Sequence, residues 1–364
     1  MAPWADRRIL DLFAIDVPIV QAPMAGATSP DMVIAVSEAG GLGSLGCAML
    51  NAEQLRSELG IIRQRTARPI NVNFFCHAPP EPDAARQAAW RKRLEPYYAE
   101  LNLDATKVPD GALRMPFDDQ LCEVVEEFKP PIVSFHFGLP ERRLMERVRQ
   151  TGAKIICSAT SVAEARELDA AGCDAIIAQG CEAGGHRGMF LSDDVASQPG
   201  TMALVPQVVD AVTVPVIAAG GIADGRGIVA ALALGAAAVQ IGTAYMFCPE
   251  SKVTALHRAA LARARDDQTV LTNVFTGRPA RGIVNRLIRE IGPISLEAPQ
   301  FPLAANAAAP LRAAAEAIGS TDWSPLWSGQ AAALGRKMGR EIGAGDLTVQ
   351  LAADAAERLR ALSR

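Results

Sequence analysis

The sequence predicts an α/β protein built on a closed (β/α)8 TIM barrel, with an inserted helical segment and a smaller, mostly helical second lobe. Three observations lead there. Short runs of β-branched and small apolar residues alternate with helical stretches eight times between residues 17 and 241, the rhythm of parallel strands joined by helical crossovers. No dinucleotide-type GxGxxG follows the first run, which sets aside an open nucleotide-binding sheet. Several of the runs end in glycine or a polar residue, and in a closed barrel the site lies where strands end.

The elements follow in order. Residues 17–21 (VPIVQ) form the first strand and stop at the turn APMAG. Ser29-Pro30-Asp31 opens a helix, with Ser29 as cap and Pro30 at the first helical position. That helix ends at Gly40-Gly41, and residues 42–45 are the second strand. A helix over 52–66 leads to the third strand, 69–74 (PINVNF). Residues 78–117 break the rhythm with charge, prolines, Trp90, Tyr97 and Tyr98. A connection this long suggests a functional cover, an insertion of one or two helices over the site end of the sheet. The rhythm resumes with helix 118–128, strand 131–135, helix 141–151, strand 154–158, helix 162–171 and strand 175–178. Helix 203–211, strand 214–218, helix 225–234 and strand 237–241 complete eight units. A helix over 252–264, a stretch without helical period at 269–287 and an Ala- and Pro-rich stretch at 299–317 follow. The expected division is a barrel over 1–249, a substrate-side lobe over 250–345 and a C-terminal segment over 346–364 that holds a closing helix at 352–362.

Composition narrows the function. The chain has 364 residues with 49% hydrophobic and only 5% aromatic content, enough for a large aliphatic core. A net charge of −4 without any basic tract argues against a nucleic-acid partner. No apolar run is long enough to span a bilayer, and the first residues do not read as a signal peptide. Seven scattered cysteines with no CxxC pair point to reduced thiols in the cytoplasm and to no zinc site.

The chemistry gathers at the strand ends. DAIIAQGCEAGGHRG joins a buried strand to a loop where Gly180, Gly184, Gly185 and Gly188 surround Gln179, Glu182, His186 and Arg187. Glycines there let the main chain approach a ligand closely; a solvated Gly-rich turn is the competing reading. The last two strands end in AAGGIADGRG and QIGTAY. Gly220-Gly221 and Gly242-Thr243 on neighbouring final strands suit a phosphate. Met24, Ala25 and Asn73 at the first and third strand ends offer an apolar surface beside an amide, suited to an isoalloxazine ring, and Gln179 can do similar work.

QAPMAGATSPDMVIAVSEAGGLGSLG, INVNFF, QGCEAGGHRG, VIAAGGIADGRG and VQIGTAYMFCPES, in this order, resemble the nitronate monooxygenase family. The resemblance implies FMN, and oxidation of alkyl nitronates by O2 to a carbonyl compound and nitrite, with nitroalkanes as a further substrate class. It implies FMN contacts from Met24, Ala25, Asn73, Gln179, Gly184, Gly185, Gly220, Gly221, Gln240, Gly242 and Thr243. It makes His186 the catalytic residue, as a base or as an anchor for the nitro group. Ser134 and His136 are candidates for binding the nitro oxygens; a structural role is the other reading of His136. Related flavin barrels act as NAD(P)H-dependent quinone or enoyl-thioester reductases, and a non-catalytic flavin-binding barrel is a remote alternative. The oligomeric state is open.

Overall fold

The computed structural model describes residues 4–81, 83–107 and 114–362. Strands β1 (Ile19–Gln21), β2 (Gly43–Gly46), β3 (Ile70–Phe75), β4 (Ile132–His136), β5 (Lys154–Ala159) and β6 (Ala175–Gln179) fall where the apolar runs place them. A two-residue strand, β7 (Gly185–His186), then leaves the barrel, which β8 (Val216–Ala219) and β9 (Ala238–Ile241) complete. The parallel order is β1-β9-β8-β6-β5-β4-β3-β2. The ring closes through a parallel bridge between Val20 and Leu42, with Gln21 N–H donating to the Leu42 carbonyl at 2.9 Å and Leu42 N–H to that of Ile19 at 2.9 Å.

Local chemistry sets these elements. Every residue of β6 is buried, as expected of a parallel strand covered on both faces. Helix starts carry side-chain caps: Ser29 accepts from Met32 N–H, Asp118 from Leu121 N–H and Ser161 from Glu164 N–H. Asn51 and Gln54 form a reciprocal capping box on helix Ala52–Arg65. Each such cap is worth about 1 kcal/mol. The sequence reading has no helix at Arg8–Phe13, yet Ile9, Leu10 and Phe13 are buried there in the main core. The last helix begins at Ala344, not at 352, and packs on helices Pro30–Glu38 and Gly225–Ala233. Gly345, which breaks the apparent helical run, lies where a Cβ would come 3.0 Å from the Ala35 carbonyl oxygen.

A second core unites segments far apart in the chain. Helix Ala84–Glu100 buries Trp90, Leu94 and Tyr98 against Ala304, Ala307, Leu311 and Trp323. Trp90 Nε1–H donates to the Ala304 carbonyl at 3.3 Å and the Tyr98 hydroxyl to that of Ala307 at 2.7 Å. The insertion therefore shares its core with the later lobe.

That lobe is mostly helical, and the stretch without helical period is where sheet appears. Residues 269–287 contain β10 (Thr269–Thr272) and β11 (Ala280–Ile283), which form an antiparallel sheet with β7 in the order β10-β11-β7. Ala280 lies opposite His186 and Arg281 opposite Gly185.

Candidate active site

The carboxyl ends of the strands open into a cavity of about 420 Å³. Met24, Ala25, Asn73, His136, Gln179, Gly184, Gly185, His186, Gly220, Gly221, Gln240, Gly242 and Thr243 all line it. Ser134 is not among the lining residues. It is fully buried in β4, and its hydroxyl accepts from Asn73 Nδ2–H at 2.9 Å. The register of β3 against β4, with Asn73 opposite Ser134, makes this contact. Ser134 therefore orients the Asn73 amide from beneath.

The loop after β6 is held from several sides. Gln179 Nε2–H donates to the His186 carbonyl at 3.0 Å, and Gly188 N–H donates to Gln179 Oε1 at 2.8 Å. Both ends of this amide are thus committed to shaping the loop. The fully buried Arg187 guanidinium donates to the carbonyls of Gln179 and Gly180 and to Gln198 Oε1. Gly184 is required by close approach, since a Cβ there would lie 2.4 Å from Gly329 N. Gly329 N–H in turn donates to Thr243 Oγ1 at 3.0 Å, so the second lobe touches the end of β9.

His186 is fixed by non-local contacts. Its Nε2 lies 3.0 Å from Thr276 Oγ1, and that hydroxyl donates to the Arg278 carbonyl at 3.3 Å. With the hydroxyl proton used on the carbonyl, the oxygen accepts from Nε2–H, leaving a lone pair on Nδ1. Phe75, Phe301 and Trp327 surround the ring at centroid distances of 6.0, 5.3 and 5.3 Å. Burial holds the His186 pKa well below the ordinary 6.5, and the charge of Arg114 lowers it further. His186 is neutral at pH 7.

His136 is committed on both nitrogens. Nε2–H donates to the His186 carbonyl at 3.2 Å, and Nδ1 accepts from the Ser158 hydroxyl at 3.0 Å. Burial depresses its pKa to about 3. Its ring supports the backbone of His186 from one side of the cavity.

The glycine ends of β8 and β9 form a cradle. Gly220 and Gly221 have φ of +116° and +70°, values that favour glycine. Among the described residues, the N–H groups of Gly221, Ile222 and Gly242 donate to no protein acceptor. The Gln240 Oε1 is buried without a partner. Free amides and an orphaned amide oxygen at one cavity wall suit a ligand with both phosphate and ring polar atoms. Among the described residues no group of three His, Cys, Asp or Glu is placed to hold a metal. No described helix is long and apolar enough to cross a membrane.

Sequence reasoning missed Phe75, Thr276, Trp327 and Arg114. Thr276 and Trp327 reach the site through the lobe, with no local motif to announce them. Arg114 sits in a charged stretch that resembles a solvated surface, yet it faces the cavity.

A barrel with a strand-end cavity, a neutral histidine and a glycine cradle defines a cofactor-using barrel enzyme. A family model described as nitronate monooxygenase matches residues 6–354. A nitronate monooxygenase of Paraburkholderia phytofirmans is 42% identical over 334 residues, covering 91% of each chain. One of Pseudomonas aeruginosa is 42% identical over 333 residues, covering 91% of this chain and 95% of that one. Among solved structures, the nitroalkane oxidase of Streptomyces ansochromogenes superposes with a TM-score of 0.86 at 40% identity, covering 98% of this chain and 99% of that one. FabK of Thermotoga maritima gives 0.74 at 31% identity, covering 98% of each chain. The chain belongs to the nitronate monooxygenase family, whose members are flavin-dependent oxidoreductases.

Proposed function

We propose that this protein uses FMN to oxidise alkyl nitronates with O2 to a carbonyl compound and nitrite, and accepts neutral nitroalkanes more slowly. The free N–H groups of the β8 and β9 loops and the Thr243 hydroxyl would hold the phosphate. Asn73, Gln240 and Met24 would meet the ring, and Gln179 would act through the loop it shapes. Bound FMN supplies the electron transfer from substrate to oxygen.

The single observation that carries the reading is the neutral His186, with Nε2–H fixed by Thr276 and Nδ1 without a partner among the described residues. Nδ1 can take the α-proton of a nitroalkane. The burial that depresses its pKa, with the charge of Arg114 beside it, also makes the resulting imidazolium unfavourable. The site therefore favours substrates that arrive already deprotonated. His186 then orients the nitronate rather than ionising it.

The test is oxygen uptake with nitrite release by the yellow holoenzyme, without NAD(P)H. His186→Asn is expected to lower kcat/KM for nitroethane by about 100-fold or more, the range of a lost general base, and for ethyl nitronate by less than tenfold. Equal losses on both would remove the base role. The likeness to FabK keeps an FMN-dependent NAD(P)H oxidoreductase, acting on quinones or enoyl thioesters, as the second reading. Rapid anaerobic bleaching of the flavin by NADH or NADPH, with no nitronate turnover, would favour it. Seven cysteines without a disulfide support work in the reducing cytoplasm. We further propose that the chain works as a barrel over 1–249 and a substrate-side lobe over 250–345 that recruits the 78–117 insertion.

A further inference from the structure

The cavity presents three long cationic side chains, Arg114, Lys252 and Arg312. Two of them are neutralised. Lys252 Nζ lies 3.0 Å from Glu58, and Arg312 Nε lies 2.8 Å from Glu316. Arg114 differs. No carboxylate among the described residues pairs with it, and its Nη1 is buried without any partner. The guanidinium stands 5.7 Å from the Phe301 ring centroid, and Phe301 in turn packs on His186. A second arginine on this side, Arg278, lies over the Phe137 ring at 4.0 Å and bonds the Met189 carbonyl, again without a carboxylate.

An unpaired guanidinium taken out of water is unfavourable, and buried charges are ordinarily paired or hydrogen-bonded. A buried donor left over at a cavity wall calls for a partner that the described residues do not supply. The planar fork of arginine matches a planar, two-oxygen anion, which it can bind through two parallel hydrogen bonds.

We propose that Arg114, delivered by the long β3–β4 connection, is the anion-binding residue of this cavity and pairs with a planar oxyanion of the substrate. That oxyanion is either the nitronate group itself or a carboxylate at the far end of the molecule. The inference rests on the nitronate reading above. It assigns the insertion a role in substrate selection. Arg114 binds and positions; the proton chemistry stays with His186.

The experiment compares wild type, Arg114→Met and Arg114→Lys holoenzymes with ethyl nitronate, a monoanion, and propionate-3-nitronate, a dianion. Arg114→Met is expected to raise KM by about 10- to 100-fold, the effect of losing a hydrogen bond to a charged group, with kcat changed far less. Arg114→Lys should recover part of the loss. A rise for both substrates assigns the nitronate group; a rise for the dianion alone assigns the far carboxylate. KM values within twofold of wild type for both, in a variant with unchanged flavin absorbance and Tm, would overturn the proposal. A second measurement does not need turnover: titration of wild type and Arg114→Met with propionate and nitrate, followed by the visible spectrum of the bound flavin. Saturable perturbation of wild type by either anion, weakened at least tenfold in Arg114→Met, supports the proposal, and no perturbation of wild type by tens of millimolar of both, or equal perturbation of the two proteins, counts against it. If wild type turns over no nitronate, the functional reading falls while this titration still judges Arg114.

Discussion

Lowering the pH is expected to destabilise this protein long before its carboxylates titrate. All four histidines are held neutral by burial: His77 and His257 at about 4, His136 at about 3, and His186 well below 6.5. In the unfolded chain each takes up a proton near pH 6.5. The folded pKa is depressed, so the stabilisation is fully present above about pH 6.5 and is lost as pH falls toward the folded values. At pH 5 the loss is about 2 kcal/mol for each of His77, His136 and His257, and it hardly depends on the folded value because all three lie below 5. His77, His136 and His257 together lose about 6 kcal/mol, a large part of the stability of an ordinary domain, and His186 shifts in the same direction. Urea unfolding of the holoenzyme at pH 7.5, 6 and 5 measures this directly. His77→Phe should flatten the dependence by about one proton, because His77 packs edge-on against Phe137 and Phe301, surroundings that a phenyl ring can share. Equal stability at pH 7.5 and pH 5 would refute the reasoning.

Two further substitutions test the construction of the site. Thr276→Val keeps the side-chain shape but removes the acceptor for His186 Nε2–H; a loss of about 1 kcal/mol should appear as roughly a fivefold fall in kcat on nitroethane, with ethyl nitronate nearly unaffected, in the same oxygen-uptake assay. Gly220→Ala puts a Cβ 2.9 Å from Thr201 Oγ1 and 3.0 Å from the Gly180 carbonyl oxygen at a φ of +116°. Strain of about 1–3 kcal/mol should weaken FMN retention by about tenfold or more, measured by fluorescence of released flavin, and unchanged retention would argue against the cradle.

The barrel was legible because its signals are local. Each strand is a short apolar run, several helices begin at a side-chain cap such as Ser29 or Asp118, and the polar residues of the cavity stand at the ends of those runs. The lobe was not, because its order comes from distant partners. Trp90 and Tyr98 looked like part of a charged insertion, and only Ala304 and Ala307 explain their burial. The stretch 269–287 lacks helical period because it is sheet, and two of its residues pair with Gly185 and His186 in the loop after β6. Ser134 was expected as a candidate for binding the nitro oxygens. The register of β3 against β4 buries it beneath the cavity, where its hydroxyl accepts from Asn73, a contact no local motif announces. Arg114 escaped notice because sequence shows a charge but not the absence of its partner.

The pairing of β7 with β11 makes the barrel and its cover inseparable as working parts. A chain ending at Pro249 would retain all eight barrel strands, the glycine cradle and His186 itself. It would lack Ala280 and Arg281, which set the register of the histidine's strand, and Thr276, which sets its tautomer. Such a fragment could hold a cofactor and still have a histidine with no fixed direction. Exchanging lobes between relatives would therefore re-aim His186 along with the cavity it lines.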